Sequence, residues 1–166
     1  MELKTFLHAL PAFERFSDRQ LDVLVANLQI EEFAAGGQLI TQEEQGRAMY
    51  ILLSGAVRSS RVDSVGDTDM EPVDVRDGEV FGLLSLVENM PAPESCIAVG
   101  AVSVAALTPV RYHSLFLLAP GMARQLQYMV AVQLARELQI KNKSLRKGMA
   151  LGKRPSFLER LLGVSS

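Results

Sequence analysis

The stretch Val80-Phe81-Gly82-Leu83-Leu84-Ser85-Leu86 follows the turn signal Asp77-Gly78 and is followed, eight residues later, by Glu94-Ser95-Cys96. It belongs to a region, residues 30–108, in which short apolar or alternating runs are separated by turn residues. This pattern is typical of an antiparallel barrel or sandwich. The candidate strands are residues 31–33, 38–41, 49–53, 56–62, 71–75 and 97–107.

Helical patterns flank this region on both sides. Residues 1–28 have helical spacing, and Ser17 with Gln20 predicts a capping box at the start of a helix over 18–28. Residues 109–118 are predicted to form a last strand and a short helical turn. Pro120, a residue tolerated at the first helical position, then opens a helix predicted to run to about residue 147. Residues 156–164 predict one more small amphipathic helix.

Size and composition restrict the class of protein. The chain has 166 residues, 48% of them hydrophobic, which suits one domain with a sizeable core plus an appendage. Nothing resembles a signal peptide, and no apolar run approaches the roughly 18 residues that span a bilayer. The single cysteine, Cys96, excludes an intrachain disulfide framework and suits a reducing compartment. The expectation is a cytoplasmic protein with no transmembrane segment.

Charge is unevenly distributed. Residues 1–135 contain 9 basic and 17 acidic residues, a balance of −8, whereas residues 136–166 contain 8 basic and 2 acidic residues, a balance of +6. A basic helix end is favourable in itself, because cations interact well with the helix C-terminus. Docking on an acidic protein partner, a membrane surface or nucleic acid is the alternative.

Four further motifs carry a family resemblance. The chain resembles the cyclic nucleotide-binding domains, the sensor domains of the cAMP receptor protein and FNR regulators, over about residues 10–150. The motifs, in order and at the expected spacings, are Phe16-Ser17-Asp18-Arg19-Gln20-Leu21, Met49-Tyr50-Ile51-Leu52-Leu53-Ser54-Gly55-Ala56-Val57, Gly78-Glu79-Val80-Phe81-Gly82, and Met122-Ala123 running into Leu134-Ala135-Arg136-Glu137-Leu138.

The resemblance implies an α+β fold. It consists of an antiparallel β-roll (a double-stranded jelly roll) with N-terminal helices and a long C-terminal dimerisation helix. The implied organisation is a β-roll with N-terminal helices over residues 1–119, the long helix over 120–150, and a basic amphipathic tail over 151–166.

The same resemblance places a phosphate-binding turn in the stretch quoted at the outset. The implied pocket residues are Phe81, Gly82, Leu83, Leu84, Glu94, Ser95 and Cys96. In the family a Glu at the position of Leu83 holds the ribose hydroxyl, and an Arg at the position of Glu94 pairs with the cyclic phosphate. No Arg or Lys occurs between Asp77 and Arg111. The family's purine-contacting pair falls at Lys141 and Asn142, and the Lys departs from the usual small hydroxyl residue. The site is therefore predicted to be degenerate, with no bound cofactor and no ordinary cAMP binding.

Catalysis and metal binding have no support in the pattern of residues. The chain lacks a nucleophile elbow, a phosphate-binding P-loop, metal-ligand spacing of Cys and His, and a recognisable pair of catalytic carboxylates. Cys96 is predicted to be a small buried hydrophobe, with thiol sensing as the alternative. We therefore predict no catalytic residues, no metal site and no enzyme.

The sequence thus predicts a regulatory module that acts as a homodimer and through a protein partner. The predicted dimer contacts on the long helix are Leu126, Val130, Leu134, Leu138 and Leu145, and the predicted docking residues of the tail are Lys153, Arg154, Phe157, Leu158, Leu161 and Leu162. Only 16 residues follow Ala150, too few for a helix-turn-helix domain, so no site-specific DNA binding by this chain is expected. The alternatives are a sensor that binds a cyclic mono- or dinucleotide in a non-standard mode, and a tail that anchors the protein to a membrane or nucleic acid.

Overall fold

A computed structural model describes residues 2–62 and 68–150 of the chain. The chain divides into two compact units, Met1–Ala131 and Val132–Ser166. The predicted tail-docking residues lie outside the described residues, as does most of the predicted turn between the fourth and fifth strands. No helix among the described residues is long and apolar enough to cross a membrane.

Short helices begin the first unit. Helix α1 spans Leu3–His8, a 3-10 turn spans Pro11–Phe13, and α2 spans Asp18–Asn27. The predicted capping box is confirmed, because the Gln20 amide donates to Ser17 Oγ and the Ser17 amide donates to Gln20 Oε1. The helices bury one apolar face, formed by Leu7, Phe13, Leu21 and Leu24.

The described part of the chain contains eight strands, arranged as two four-stranded antiparallel sheets. One sheet has the order β1-β8-β3-β6 and the other the order β2-β7-β4-β5. The strands are β1 Gln29–Phe33, β2 Gln38–Ile40, β3 Met49–Ser54, β4 Val57–Val62, β5 Thr68–Val75, β6 Val80–Phe81, β7 Ser95–Ala98 and β8 Val102–Leu107. Both sheets contribute to one apolar cluster, which includes Tyr50 and Phe81 from the first sheet and Val57 and Cys96 from the second. The predicted β-roll is confirmed.

Two predicted elements are wrong in detail. The single strand expected over 97–107 is two strands, β7 and β8, which belong to different sheets and are joined by a corner at Val99, Gly100 and Ala101. The corner is hidden in the sequence because its Val and Ala continue the apolar pattern of the strands. Residues 109–118 are helical throughout and form α3, Pro109–Leu118, with Thr108 Oγ1 as an N-cap that accepts from the Arg111 amide.

The long helix α4 spans Pro120–Ala150, close to the predicted bounds. Within the first unit, Leu126 is fully buried and Val130 is 6% exposed. Their own chain therefore covers these two residues, which corrects the expectation that they face a second copy. Leu134, in the second unit, is half-buried, while Leu138 and Leu145 are 64% and 51% exposed.

Candidate functional site

The predicted phosphate turn keeps a backbone that only glycine fits well. Gly82 has φ +70° and immediately precedes the 3-10 helix Leu83–Leu86. A Cβ at residue 82 would lie 2.8 Å from Ile40 Cδ1 and 3.0 Å from the Ala48 carbonyl oxygen. Any other residue would therefore meet both a strained dihedral angle and a steric clash. The turn is an ordered feature of the fold.

The loop before β3 holds the turn from one side. Ser85 is buried, and a side chain at Gly46 would overlap its hydroxyl group. The Gln45 side-chain amide donates to the carbonyl oxygens of Ser85 at 3.3 Å and Val87 at 3.4 Å. These contacts satisfy backbone acceptors at the end of the 3-10 helix, where no intrahelical donor is available.

The segment after the turn is tied to the same loop. The Glu43 amide donates to the Ala92 carbonyl at 2.8 Å, and the Ala92 amide donates to the Glu44 carbonyl at 2.7 Å. Ser95 Oγ accepts from the Gln42 amide at 2.9 Å. The chain that leads into Glu94 is therefore fixed by backbone pairing.

The pairing of β4 with β7 gives the surroundings of Glu94. Ser59 is opposite Cys96, and Ser60 is opposite Ser95, where the pairing ends. Glu94 lies in a bend just before β7, is half-buried, and is close enough to Cys96 for its charge to contribute to the raised pKa of the thiol. Because faces alternate along a strand, Arg61 shares the inner face of β4 with Val57 and Ser59.

Sequence reasoning missed Arg61. Its position was readable, because Val57, Ser59 and Arg61 alternate along β4 and Val57 is fully buried. Arg61 is only 9% exposed. Strand β4 thus supplies a buried cation, whereas the segment that leads into β7 carries the anion Glu94.

Aromatic side chains form part of the apolar core next to Gly82. Tyr50 is fully buried and stacks on Phe81, with ring centroids 5.4 Å apart, and Phe33 meets Tyr50 edge to face at 6.4 Å. The Tyr50 hydroxyl accepts from Arg47 at 3.4 Å and donates to the Leu39 carbonyl at 3.5 Å, and burial raises its pKa. Leu84 is buried and Leu83 is half-buried, so the two residues that follow Gly82 in the turn are both apolar and at least partly covered.

Cys96 lies in the same apolar cluster as Tyr50 and Phe81 and is a protonated thiol. Burial raises its pKa to about 12, the nearby Glu94 charge acts in the same direction, and a hydrogen bond with Ser59 opposes them. A thiol in this state is a poor nucleophile and a poor metal ligand. Among the described residues, no group of three or more His, Cys, Asp or Glu side chains could hold a metal ion.

Lys141 and Asn142 lie in the second unit, where both are exposed. Their assignment to the pocket remains a prediction, as do the role of the tail and the division of the chain at residues 119 and 150.

Comparisons with known proteins identify the family. The profile of the cyclic nucleotide-binding domain matches residues 30–117, more than half of the chain. The chain therefore belongs to the cyclic nucleotide-binding domain family. It is 27% identical to the cyclic AMP receptor protein of Thermus thermophilus over 124 residues, which are 75% of this chain and 57% of that protein. It is 29% identical to a cAMP-dependent protein kinase regulatory subunit of Mycosarcoma maydis over 105 residues, 63% of this chain and 20% of that protein.

Solved structures agree with this assignment. The crystal structure of the Thermus thermophilus catabolite activator protein matches with a TM-score of 0.66 and 26% identity, covering 82% of this chain and 62% of that one. The N-terminal domain of a transcriptional regulator from Streptomyces coelicolor matches with a TM-score of 0.66 and 25% identity, covering 81% and 93%. The chain spans between a fifth and three fifths of the two curated relatives, so they contain further sequence that it does not match.

Proposed function

We propose that this domain is a non-catalytic regulatory module whose degenerate pocket does not bind cAMP in the ordinary way, and that it works as a homodimer through a protein partner. The observation that carries the proposal is the pair Leu83 and Glu94, at the two positions where the family places its ribose acceptor and its phosphate cation. The retained glycine turn supports descent from a ligand site, and the half-buried position of Glu94 near Cys96 supports the loss of anion binding. The names of the relatives, a receptor protein and kinase regulatory subunits, support a role in regulation.

Electrostatics decides against a cyclic phosphate in the ordinary pose. A hydrogen bond between a cation and an anion contributes about 1.5–3 kcal/mol, and Glu94 replaces that attraction with repulsion. Leu83 also leaves the ribose hydroxyls without an acceptor. At about 1.4 kcal/mol per factor of ten, the combined loss reduces affinity about a thousandfold or more.

A restoration experiment tests the degenerate pocket. We expect the double variant Leu83→Glu with Glu94→Arg to be stabilised by cAMP in a thermal melt, while the native chain responds to none of cAMP, cGMP and cyclic dinucleotides. At 100 times its dissociation constant, a ligand specific for the folded state adds about 2.7 kcal/mol. A matched control is Val73→Glu with Glu71→Arg, which makes the same changes of charge at exposed positions of β5. Stabilisation of the native chain by cAMP would overturn the proposal.

The dimer is proposed from the exposed apolar residues of the second unit. Leu138 and Leu145 are separated by seven residues and are both more than half exposed, and half-buried Leu134 precedes them by one helical turn. Leucines at this spacing form the seam when two helices pack together as a coiled coil. We expect the second copy to cover this seam, with the basic tail left for a protein partner.

A second candidate function is a sensor that binds a cyclic mono- or dinucleotide in a non-standard mode, and Arg61 favours it. Arg61 is 9% exposed and alternates with Val57 and Ser59 along β4, so the roll has a buried cation on a strand other than the one where the family places it. On this hypothesis a phosphate lies nearer to β4 than the family pose places it.

Substitution of Arg61 separates the two functions. If the native chain is stabilised by any cyclic nucleotide, the sensor hypothesis expects Arg61→Gln to remove that stabilisation. Arg58→Gln, on the outer face of the same strand and paired with Asp74, is the matched control and is expected to leave it intact. A nucleotide response that survives Arg61→Gln would contradict the sensor hypothesis.

A further inference from the structure

A groove of about 510 Å³ lies in the first unit, outside the roll. One wall is the 3-10 turn and the segment after it, including Ala12 and Phe16, and the other wall is the start of α4, including Tyr128 and Met129. The volume falls within the range of small-molecule sites, roughly 300–1,000 Å³. Tyr128 is 71% exposed, so a large aromatic face remains uncovered along one side of the groove.

The wall formed by the 3-10 turn is anchored from behind. Phe13 is fully buried and meets Phe16 edge to face, with ring centroids 5.4 Å apart. The Phe16 amide donates to the Phe13 carbonyl at 2.9 Å, and Pro11 opens the turn. A groove whose walls are held by a buried ring and a helix is pre-formed, so a ligand loses little free energy in ordering it.

The charged side chains that line the groove carry a net positive charge. Arg15 and Arg124 line it together with Glu14. The ion pairs within the described part of the chain involve none of these three side chains. Two guanidinium groups therefore face one carboxylate around an apolar surface, and the unbalanced cation selects an anionic group on the occupant.

One polar atom at the groove has no partner. The Gln125 Oε1 atom is buried and has no hydrogen-bond partner in the described structure, although Gln125 also lines the groove. Buried polar atoms are nearly always hydrogen-bonded, so the Gln125 side chain has a reason to change its rotamer when the groove is occupied. In the described conformation its oxygen is closed off from the groove, so the charged and apolar lining residues define the ligand.

We propose that this groove binds a small organic acid, with an apolar body against Phe16, Tyr128 and Met129 and a carboxylate paired with Arg15 or Arg124. A small molecule is the proposed occupant because the volume of the groove is typical of small-ligand sites, and because charged side chains line it together with apolar ones. The site is separate from the phosphate turn, and the proposal stands whether or not the pocket of the roll binds a nucleotide.

Three probes test the proposal: indole-3-acetate and 1-naphthaleneacetate as acids, and indole-3-acetamide as the neutral match. Binding is followed by thermal melts and by NMR shifts of the backbone amides of residues 12–16 and 124–129, with each probe at up to about 1 mM. We expect both acids to raise Tm by about 3 °C and to shift these amides. The amide is expected to bind about tenfold more weakly, because it lacks the charge-assisted bond.

Variants of the full chain locate the site. Ala12→Trp places a large side chain in the groove and is expected to abolish binding, and the double variant Arg15→Gln with Arg124→Gln is expected to remove the preference for acid over amide. Arg19→Gln, on exposed α2 surface away from the groove, is the control and leaves both unchanged. If Ala12→Trp does not fold, the arginine double variant and the NMR shifts still decide the outcome. The proposal is wrong if neither acid produces shifts at about 1 mM, if acid and amide bind equally to the native chain, if the acids bind a folded Ala12→Trp variant as tightly as the native chain, or if the acid preference survives the arginine double variant.

Discussion

The two units of the chain treat the same apolar spacing in opposite ways. Leu126 belongs to the first unit and is fully buried, whereas Leu138, on the same helix, belongs to the second unit and is 64% exposed. Both follow the four-residue spacing that predicts an amphipathic helix. The comparison teaches that periodicity identifies the apolar face of a helix but does not show whether the same chain covers that face or leaves it exposed.

Thiol labelling gives the largest expected contrast between the units. With a pKa of about 12, Cys96 holds roughly one thiolate in ten thousand at pH 8, and the core also blocks the reagent. We expect native Cys96 to react with a disulfide reagent at least about a thousandfold more slowly than a cysteine introduced by Leu138→Cys in a Cys96→Ala background. Comparable rates for the two thiols under native conditions would contradict the packed first unit.

The pKa of Cys96 also fixes the sign of a pH effect. The thiol of the unfolded chain loses its proton from about pH 9 upwards, while the folded thiol keeps its proton until about pH 12. The unfolded state is therefore favoured as pH rises through that window, and the contribution of Cys96 to stability is fully present below pH 9. The Cys96→Ala variant is expected to lose stability less steeply above pH 9 in chemical denaturation.

Truncation of a leucine in each unit gives the second-largest expected difference between the two units. We expect Leu126→Ala to lower the free energy of unfolding by about 2–5 kcal/mol, because it empties a fully buried site. Leu138→Ala, measured by the same urea melts at a concentration where the chain is monomeric, is expected to change it by less than about 0.5 kcal/mol. Equal costs at the two positions would show that the helix beyond Ala131 is packed in the monomer.

Association gives the smallest of the expected contrasts, but the most specific one. Leu138→Glu and Leu145→Glu place like charges at the proposed seam and are expected to weaken the homodimer at least about tenfold each, as measured by sedimentation equilibrium. Glu substitutions at exposed Gln127 and Gln139 serve as controls for added charge. A native chain that remains monomeric at all concentrations would end the dimer proposal.

Sequence patterns predict the layout of the roll better than its connections. The capping box at Ser17, the strands before residue 62 and the start of α4 at Pro120 follow from local chemistry, because caps, alternation and proline act over a few residues. The split between β7 and β8 could not be predicted in this way, since the pairing of each strand with a different sheet is a long-range choice. The helical α3 was misread because Val110, Tyr112 and Phe116 are residue types common in strands.

In the candidate site, too, the sequence predicts local features but not the pairing of distant strands. The changes at Leu83 and Glu94 are visible in the sequence, as is the need for glycine at residue 82. The pairing of β4 with β7, which brings Arg61 to the end of the roll where Glu94 precedes β7, joins residues more than thirty positions apart. Alternation along β4 places Arg61 on the inner face, but only the structure gives the neighbouring strand.

The stack of Tyr50 on Phe81 gives the protein a built-in optical reporter. The chain contains no tryptophan and only three tyrosines, so its near-ultraviolet circular dichroism arises mainly from tyrosine and phenylalanine rings held in fixed, asymmetric surroundings. Tyr50 is the fully buried one of the three and lies against the residue that precedes Gly82. A molecule that enters the roll changes the ellipticity of this ring pair directly, whereas a molecule in the outer groove acts on exposed Tyr128, so the two binding events carry different spectroscopic signatures.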